Sequence, residues 1–459
     1  MTEISPARSL AYDAIRATFE EGAFTERYFR QEADERGLTG RDRAQAQRLA
    51  YGGVQRRGTS DAAIERLAER PAGKLDPPVR AALQLGLYEL LFADATPDHA
   101  AVDQAVELAR EAGAAHATGL VNAVLRRAAR ERAELVDSLL ADDSTPERAA
   151  TAHSAPRWLA RMWWEEAGPD GAVSLLAACN RPAEVAMRVD VLRADRGEVF
   201  ATLREAGVEA SSAQAEWPLG AAESIVVDGP AGEAISGLVA EGKLTPQSRG
   251  SAAVVEVLDP RPGEHVLDLC AGPGIKTGQI AARMGDRGET ISVELDPKRA
   301  AEVSEQARRL DLRSVTVIEG DAAEIEMAPG FDRVLLDAPC SDLGALASRP
   351  DARWRKSPQA IERLADVQGR MLASAAAALR PGGVLVYATC TISRRENEDR
   401  IAALLEDPHG DLSLSVDDLG ARAPGLASPH DSRCLQLRPD RDRTTGFFIC
   451  RLRRDDGGR

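Results

Sequence analysis

The chain has 459 residues, 44% of them apolar, six thinly spread cysteines and a formal net charge of −15. That length holds roughly two to four domains with sizeable cores, and no apolar run approaches a membrane span. The composition argues against a disulfide framework, since no Cys-x-x-Cys pair occurs, against a zinc site, since cysteine and histidine spacing is wrong, and against indiscriminate nucleic-acid binding.

The opening Met1-Thr2-Glu3-Ile4-Ser5-Pro6 lacks a basic region followed by an apolar core. No signal peptide is expected, and the free thiols fit a reducing cytoplasm. Residues 6–140 read as all helix, with apolar positions at helical spacing such as Leu83, Leu87, Leu90 and Leu91. Breaks at Gly37, Gly52-Gly53, Asp76-Pro77-Pro78 and Thr96-Pro97-Asp98 predict a bundle of about six or seven short helices. Two arginine clusters lie here (Arg41, Arg43, Arg48, Arg56 and Arg57; Arg126, Arg127, Arg130 and Arg132), and Arg349, Arg353, Arg355 and Lys356 form a third. Each reads either as a solvated face or as part of a phosphate-binding track.

From about 150 to 245 a tryptophan-bearing helix (Trp158, Trp163, Trp164, read as core anchors) leads into alternating strands and helices. Val185–Val189 and Ser224–Val227 are its strands, and the segment reads as a small α+β module. Beyond Gln247 the pattern is strand, helix, strand, helix. Candidate strands are His265–Leu269, Thr290–Val293, Val315–Ile318, Val334–Asp337, Val384–Tyr387 and Phe447–Arg451. They predict a mainly parallel, doubly wound α/β sheet. The tail Arg453–Arg459 is expected to fray.

The first strand of that sheet runs into Asp268-Leu269-Cys270-Ala271-Gly272-Pro273-Gly274-Ile275-Lys276-Thr277-Gly278. Its glycines let the backbone approach a ligand, and the following helix start favours negative groups. Neither a nicotinamide fingerprint nor a Walker loop fits the spacing. Glu294 ends the second strand, twenty residues past Gly274 (294 − 274), where an acid can hold a ribose. An adenosine ligand without a pyrophosphate fits best, and S-adenosylmethionine is the natural candidate. An ordinary glycine turn beside a surface acid is the alternative.

Two further strands end in Asp337-Ala338-Pro339-Cys340 and Tyr387-Ala388-Thr389-Cys390. Ligands of doubly wound sheets bind at the carboxyl ends of strands, so both thiols are expected at the rim where cofactor and substrate meet. Carbon 5 of a pyrimidine accepts a methyl group only after a nucleophile adds to carbon 6. A second thiol or base then helps to release the product, and a carboxylate beside the ring nitrogen stabilises developing charge. Asp337, Cys340 and Cys390 supply that set.

With those motifs, the run Ser341 to Gly344, Arg349-Pro350-Asp351 through Trp354, and the closing Thr445-Gly446-Phe447-Phe448, the chain resembles the RsmB/Sun cytosine-5 methyltransferases of 16S ribosomal RNA, within the RsmB/NOP family. Leu85-Gly86-Leu87-Tyr88 and Gly119 through Arg127 resemble the NusB RNA-binding fold. The resemblance implies a NusB-like helical domain over 1–140, an RNA-recognition-like module over 150–245, and a Rossmann-like methyltransferase domain over 246–459. It implies Cys390 as nucleophile, Cys340 as the helper in release, and Asp337 beside them. Cofactor contacts carried over are Cys270, Ala271, Gly272, Pro273, Gly274, Ile275, Lys276, Glu294, Asp321 and Asp337. The methyl donor would be S-adenosylmethionine without a metal. The partner would be 16S rRNA or a small-subunit assembly intermediate, met by a monomer away from any membrane. The same chemistry on another RNA, or an inert RNA-binding assembly factor, are the alternatives.

This chain departs from the family pattern at three places. Ile275 stands where a glycine is usual, so its backbone is expected to avoid positive φ. Glu294 replaces a commoner aspartate, and Ala347-Ser348-Arg349 has one arginine fewer than usual.

Overall fold

The computed structural model describes residues 3–93, 96–212, 216–229, 232–407 and 412–456. They fall into two compact units: residues 1–181 with 346–356, and residues 182–345 with 357–459.

The first unit is helical. Over 6–140 its described residues form eight α-helices, Pro6–Arg16, Thr25–Glu35, Gly40–Gln55, Arg57–Ala68, Pro77–Phe92, Asp98–Glu111, Thr118–Arg130 and Arg132–Leu140, rather than six or seven. The extra boundaries fall at Arg56 and Glu131, where no glycine or proline announces a break. Gly52-Gly53, by contrast, breaks nothing and lies inside Gly40–Gln55. A Cβ on Gly52 would sit 2.0 Å from the Tyr88 ring, so glycine serves close helix packing there. Asp76 and Pro97 do precede helix starts, as proline punctuation predicts. Of the three tryptophans on Arg157–Ala178, only Trp163 is a fully buried anchor.

In the third arginine cluster Arg349 is exposed, but Arg353 and Arg355 are engaged within the protein. Arg353 is 1% exposed and donates to the carbonyl oxygens of Ser154 (3.0 Å) and Cys179 (2.9 Å) and to Oδ1 of Asn180 (3.1 Å). Those carbonyls close the helices Pro146–Ala152 and Arg157–Ala178, where a cation is favoured by the helix dipole. Trp354 donates its indole N–H to the Val54 carbonyl at 2.8 Å, and Arg355 donates to Gly22 O at 2.9 Å and to Asp351 at 2.7 Å. Arg56 and Arg57 likewise lie over the rings of Phe92 and Phe19. Arg41, Arg48, Arg126 and Arg130 remain exposed.

The second unit carries two sheets. The smaller is antiparallel, with β1 (Val185–Val189), β2 (Glu209–Ser212), β3 (Ser224–Asp228) and β4 (Leu244–Pro246) in the order β2-β3-β1-β4. The larger contains β5 (His265–Asp268), β6 (Glu289–Glu294), β7 (Val315–Glu319), β8 (Phe331–Asp337), β9 (Leu379–Thr389), β10 (Leu414–Val416), β11 (Leu435–Leu437) and β12 (Phe447–Arg454). Its order is β10-β12-β9-β8-β5-β6-β7, with β11 also on β12. Strands β9, β8, β5, β6 and β7 are parallel, while β10, β11 and β12 pair antiparallel. Arg453 and Arg454, expected to fray, belong to β12, and residues 457–459 lie outside the described ones.

Both faces of the larger sheet are covered, which explains its continuous apolar runs. Leu267, Val334, Leu336, Leu385, Tyr387 and Phe448 pack with Met371 and Leu372 of helix Pro358–Ala378. Their neighbours Val266, Leu335, Val386 and Ile449 pack on the other face with Val254 and Ile280. From β5 the chain winds outward through β6 and β7, then returns to wind the other way through β8 and β9. That reversal makes the carboxyl end of β5 the ligand-binding position of the sheet.

Candidate active site

The loop after β5 turns tightly into helix Ile275–Arg283. Gly274 supplies φ +96°, and its N–H donates to the Ala271 carbonyl at 2.7 Å. Glu294, at the end of neighbouring β6, accepts from the Gly272 N–H at 2.9 Å and the Asp296 N–H at 3.1 Å. Arg299 lies 3.7 Å from its carboxylate. A Cβ on Gly272 would fall 2.4 Å from Glu294 Oε2, so a larger residue there would require the Glu294 and Arg299 side chains to shift. Asp321, after β7, is half-buried and accepts from the Ala323 N–H at 2.8 Å.

Lys276 reaches across to β8 and pairs with Asp337 at 2.5 Å. Asp268 is buried beneath the loop, with Thr277 donating to Oδ2 at 2.7 Å and Oδ1 left without a hydrogen-bond partner. Burial pushes its carboxyl up to about 6 against that hydrogen bond. The Cys270 thiol is pushed well above its ordinary value by burial, and Asp268, Asp337 and Glu294 all add to the effect. Three nearby carboxylates therefore rule out a thiolate at Cys270 at neutral pH.

The two strand-end cysteines meet. Cys340 Sγ lies 3.3 Å from Cys390 Sγ, and Cys390 lies within hydrogen-bond reach of Asp342 Oδ1 at 3.2 Å. Cys340 is buried and Cys390 half-buried. The hydrogen bond to Cys390, with burial added, raises the Cys340 thiol well above its ordinary value and holds it protonated. Backbone bonds stitch the loops together. Gly344 N–H donates to Cys390 O at 2.9 Å, and Gly446 N–H donates to Gly344 O at 2.8 Å. A Cβ on Gly344 would meet Gly446 O at 2.3 Å, so this crossing also requires glycine.

Behind the cysteines sits Glu396, fully buried. It accepts from the Ser341 N–H at 2.9 Å, from the Ser341 hydroxyl, and from Gln368 at 3.2 Å. Tyr387 donates its hydroxyl to the Glu396 carbonyl at 2.6 Å, and Asn397 accepts from Thr389 at 2.6 Å. This network fixes the segment after Cys340 to the segment after Cys390.

The profile of the 16S rRNA methyltransferase RsmB/F family matches residues 255–453. The NusB family matches 5–130, and a ferredoxin-like domain of RsmF/B-like methyltransferases matches 155–228. A relative from Synechocystis, named "Probable ribosomal RNA small subunit methyltransferase B", is 34% identical over 98% of this chain and 99% of its own length. The ribosomal RNA small subunit methyltransferase B of Pseudomonas syringae is 32% identical over 90% of this chain and 89% of its own. The chain belongs to the RsmB/F methyltransferase family. Among solved structures, PH0851 superposes with a TM-score of 0.78 at 25% identity, covering 98% of this chain and 99% of that one. The fold is shared by NSun6 from Pyrococcus horikoshii with SFG, at TM-score 0.55 and 21% identity over 65% of this chain and 98% of that one.

Within this RsmB/F fold, Ile275 is the first residue of its helix and has no positive φ, so the departure from glycine is absorbed without strain. Three site residues escaped the motif reading. Asp268 was only part of a loop string, although an acid closing the first strand is a signal. Glu396 and Asp342 carry none, since their contacts are made by tertiary approach.

Proposed function

We propose that the chain transfers the methyl group of S-adenosylmethionine to carbon 5 of a cytosine in 16S ribosomal RNA, through a transient bond from Cys390 to carbon 6. Family membership supports a ribosomal RNA methyltransferase. The observation supporting the finer chemistry is the pair of thiols 3.3 Å apart at the ends of adjacent parallel strands, beside the Lys276–Asp337 pair.

The loop fits the cofactor. Gly274 turns the backbone tightly into the helix start with φ +96°, Asp268 keeps a buried acceptor atom with no hydrogen-bond partner, and Glu294 ends β6 while Asp321 follows β7. Bound there, S-adenosylmethionine supplies an electrophilic methyl on a sulfonium. We assign Cys270 to Lys276, Glu294, Asp321 and Asp337 to holding it.

Cys390 adds its sulfur electron pair to carbon 6 while its proton passes to ring nitrogen 3. The ring electrons released to carbon 5 form the new bond to the methyl carbon as the bond from that carbon to the sulfonium breaks and S-adenosylhomocysteine is left, and Asp337 stabilises the positive charge that then appears at nitrogen 3. Release then needs the carbon 5 proton removed and the Cys390 sulfur expelled. Cys340 gives its thiol proton to the departing sulfur and takes the carbon 5 proton in exchange, the carbon–hydrogen electrons restore the ring double bond, and the nitrogen 3 proton leaves to solvent. Residues 1–140 and 150–245 carry RNA recognition in this reading, and 246–459 the chemistry, on rRNA or an assembly intermediate, as a cytoplasmic monomer.

Bisulfite sequencing of 16S rRNA from a deletion strain tests the target. One protected cytosine should lose protection and regain it with the parent gene, but not with Cys390→Ala. An unchanged 16S pattern with loss of protection in another RNA would move the substrate there.

A further inference from the structure

Asp342 has no part in the mechanism above, yet it sits beside both sulfurs. Its φ is +60°, the left-handed region that aspartate enters more readily than most residues with a Cβ. Its carboxylate oxygen, Cys340 Sγ and Cys390 Sγ all lie within 4.8 Å of one another. We propose that Cys340, Asp342 and Cys390 form an inhibitory site for a thiophilic divalent cation, zinc foremost.

The dimensions fit. Zinc binds thiolate sulfur at about 2.3 Å and carboxylate oxygen at about 2.0–2.2 Å in tetrahedral geometry. Sulfur-to-sulfur edges of such a tetrahedron are then roughly 3.8 Å, and sulfur-to-oxygen edges roughly 3.5 Å. The Cys340–Cys390 edge of 3.3 Å and the Cys390–Asp342 edge of 3.2 Å need to open by about half an ångström or less, and the third edge, from Cys340 to Asp342, lies within 4.8 Å and closes on the metal. Two sulfurs and one carboxylate favour zinc or cadmium over magnesium, which takes oxygen ligands. The donors are also held in place: Gly344 N–H anchors the Cys390 carbonyl and Glu396 anchors Ser341, between Cys340 and Asp342.

Binding is a simple exchange. Both S–H bonds break, two protons leave to solvent, two sulfur–metal bonds and one oxygen–metal bond form, and nothing is oxidised. The fourth position stays open to water. A metal held this way occupies the electron pair that Cys390 would use on carbon 6. Inhibition therefore rests on the reading of Cys390 as nucleophile, whereas binding does not.

The test uses the full chain, freed of metal with a chelator and kept reduced, titrated with cobalt(II) and then zinc. One equivalent of cobalt should bind with a thiolate charge-transfer band and tetrahedral visible bands, and zinc should displace it. Asp342→Gly suits the positive φ and removes one ligand, so zinc affinity should fall by more than about tenfold. The Cys340→Ser/Cys390→Ser variant should lose the band. Unchanged affinity in Asp342→Gly would overturn the site, as would a thiolate band surviving in the double variant, which would assign it to the buried Cys434 and Cys450 pair. Methyl transfer should be blocked by one equivalent of zinc and restored by chelator. Restoration by reductant alone would point to a disulfide and overturn the metal. Binding that leaves turnover intact would keep the site and contradict the nucleophile instead.

Discussion

The two halves of the site follow opposite electrostatic rules. On the cofactor side the charges at the rim face an opposite charge or an N–H donor: Lys276 against Asp337, and Glu294 against Gly272 N–H and Arg299. On the thiol side the contacts are sulfur to sulfur and sulfur to carboxylate, and neither contact brings a cation or an N–H donor. The first half is arranged to hold a ligand in a fixed geometry. The second puts an acidic acceptor and a second thiol against the Cys390 sulfur.

The sharpest break in that comparison is Cys390→Ala. It should lower turnover by more than about 10⁴-fold, since the covalent step has no substitute. S-adenosylmethionine affinity, measured by calorimetry, should stay within about twofold, because the cofactor half keeps all its partners. Parallel losses in both would show the halves to be one unit.

Lys276→Met should act on both halves more weakly. It strips Asp337 of the cation that holds it in place. Cofactor affinity should fall by roughly tenfold to a hundredfold, as for loss of a charge-assisted hydrogen bond. The single-turnover rate at saturating cofactor should fall as well, and an unchanged rate would exclude Asp337 from the chemistry. Glu294→Gln should weaken cofactor binding by about tenfold and leave the single-turnover rate at saturation unchanged. A slowed rate at saturation would place Glu294 in the chemistry.

The smallest expected effect is on stability. Asp268 has a carboxyl raised from 3.8 to about 6 by burial. The unfolded chain loses that proton first as pH rises, so the stability of the native state falls between those two values and stays lower above them. Asp268→Asn should therefore raise the melting temperature at pH 7, by up to about 3 kcal/mol in free energy. Its advantage should disappear below about pH 4, while cofactor affinity drops. A gain independent of pH would contradict the buried-acid account.

What could be read from residues alone follows the physics of each element. Strands β5, β6, β8 and β9 are buried on both faces, so their apolar runs were visible, and a cysteine just past two such runs marked the two thiols that the fold brings together. Strands β10 and β11 are three residues long and carry no such run. Gly52-Gly53 was misread because glycine marks close packing as readily as a turn. Arg353 was not separable from its neighbours, because a buried arginine satisfied by helix-end carbonyls has the same sequence as one facing solvent or phosphate. Asp342 and Glu396 touch the Cys340 and Cys390 segments only after β8 and β9 have paired, and no local pattern records that.

The central claim is that Cys390 forms the covalent bond and Cys340 releases it. Cys340→Ala, incubated with substrate RNA and S-adenosylmethionine, should accumulate a protein–RNA adduct on a denaturing gel. Peptide mapping should place the RNA on Cys390, and Cys340→Ala/Cys390→Ala should form none. An adduct mapped to another residue, or normal turnover by Cys340→Ala with no adduct, would contradict the account.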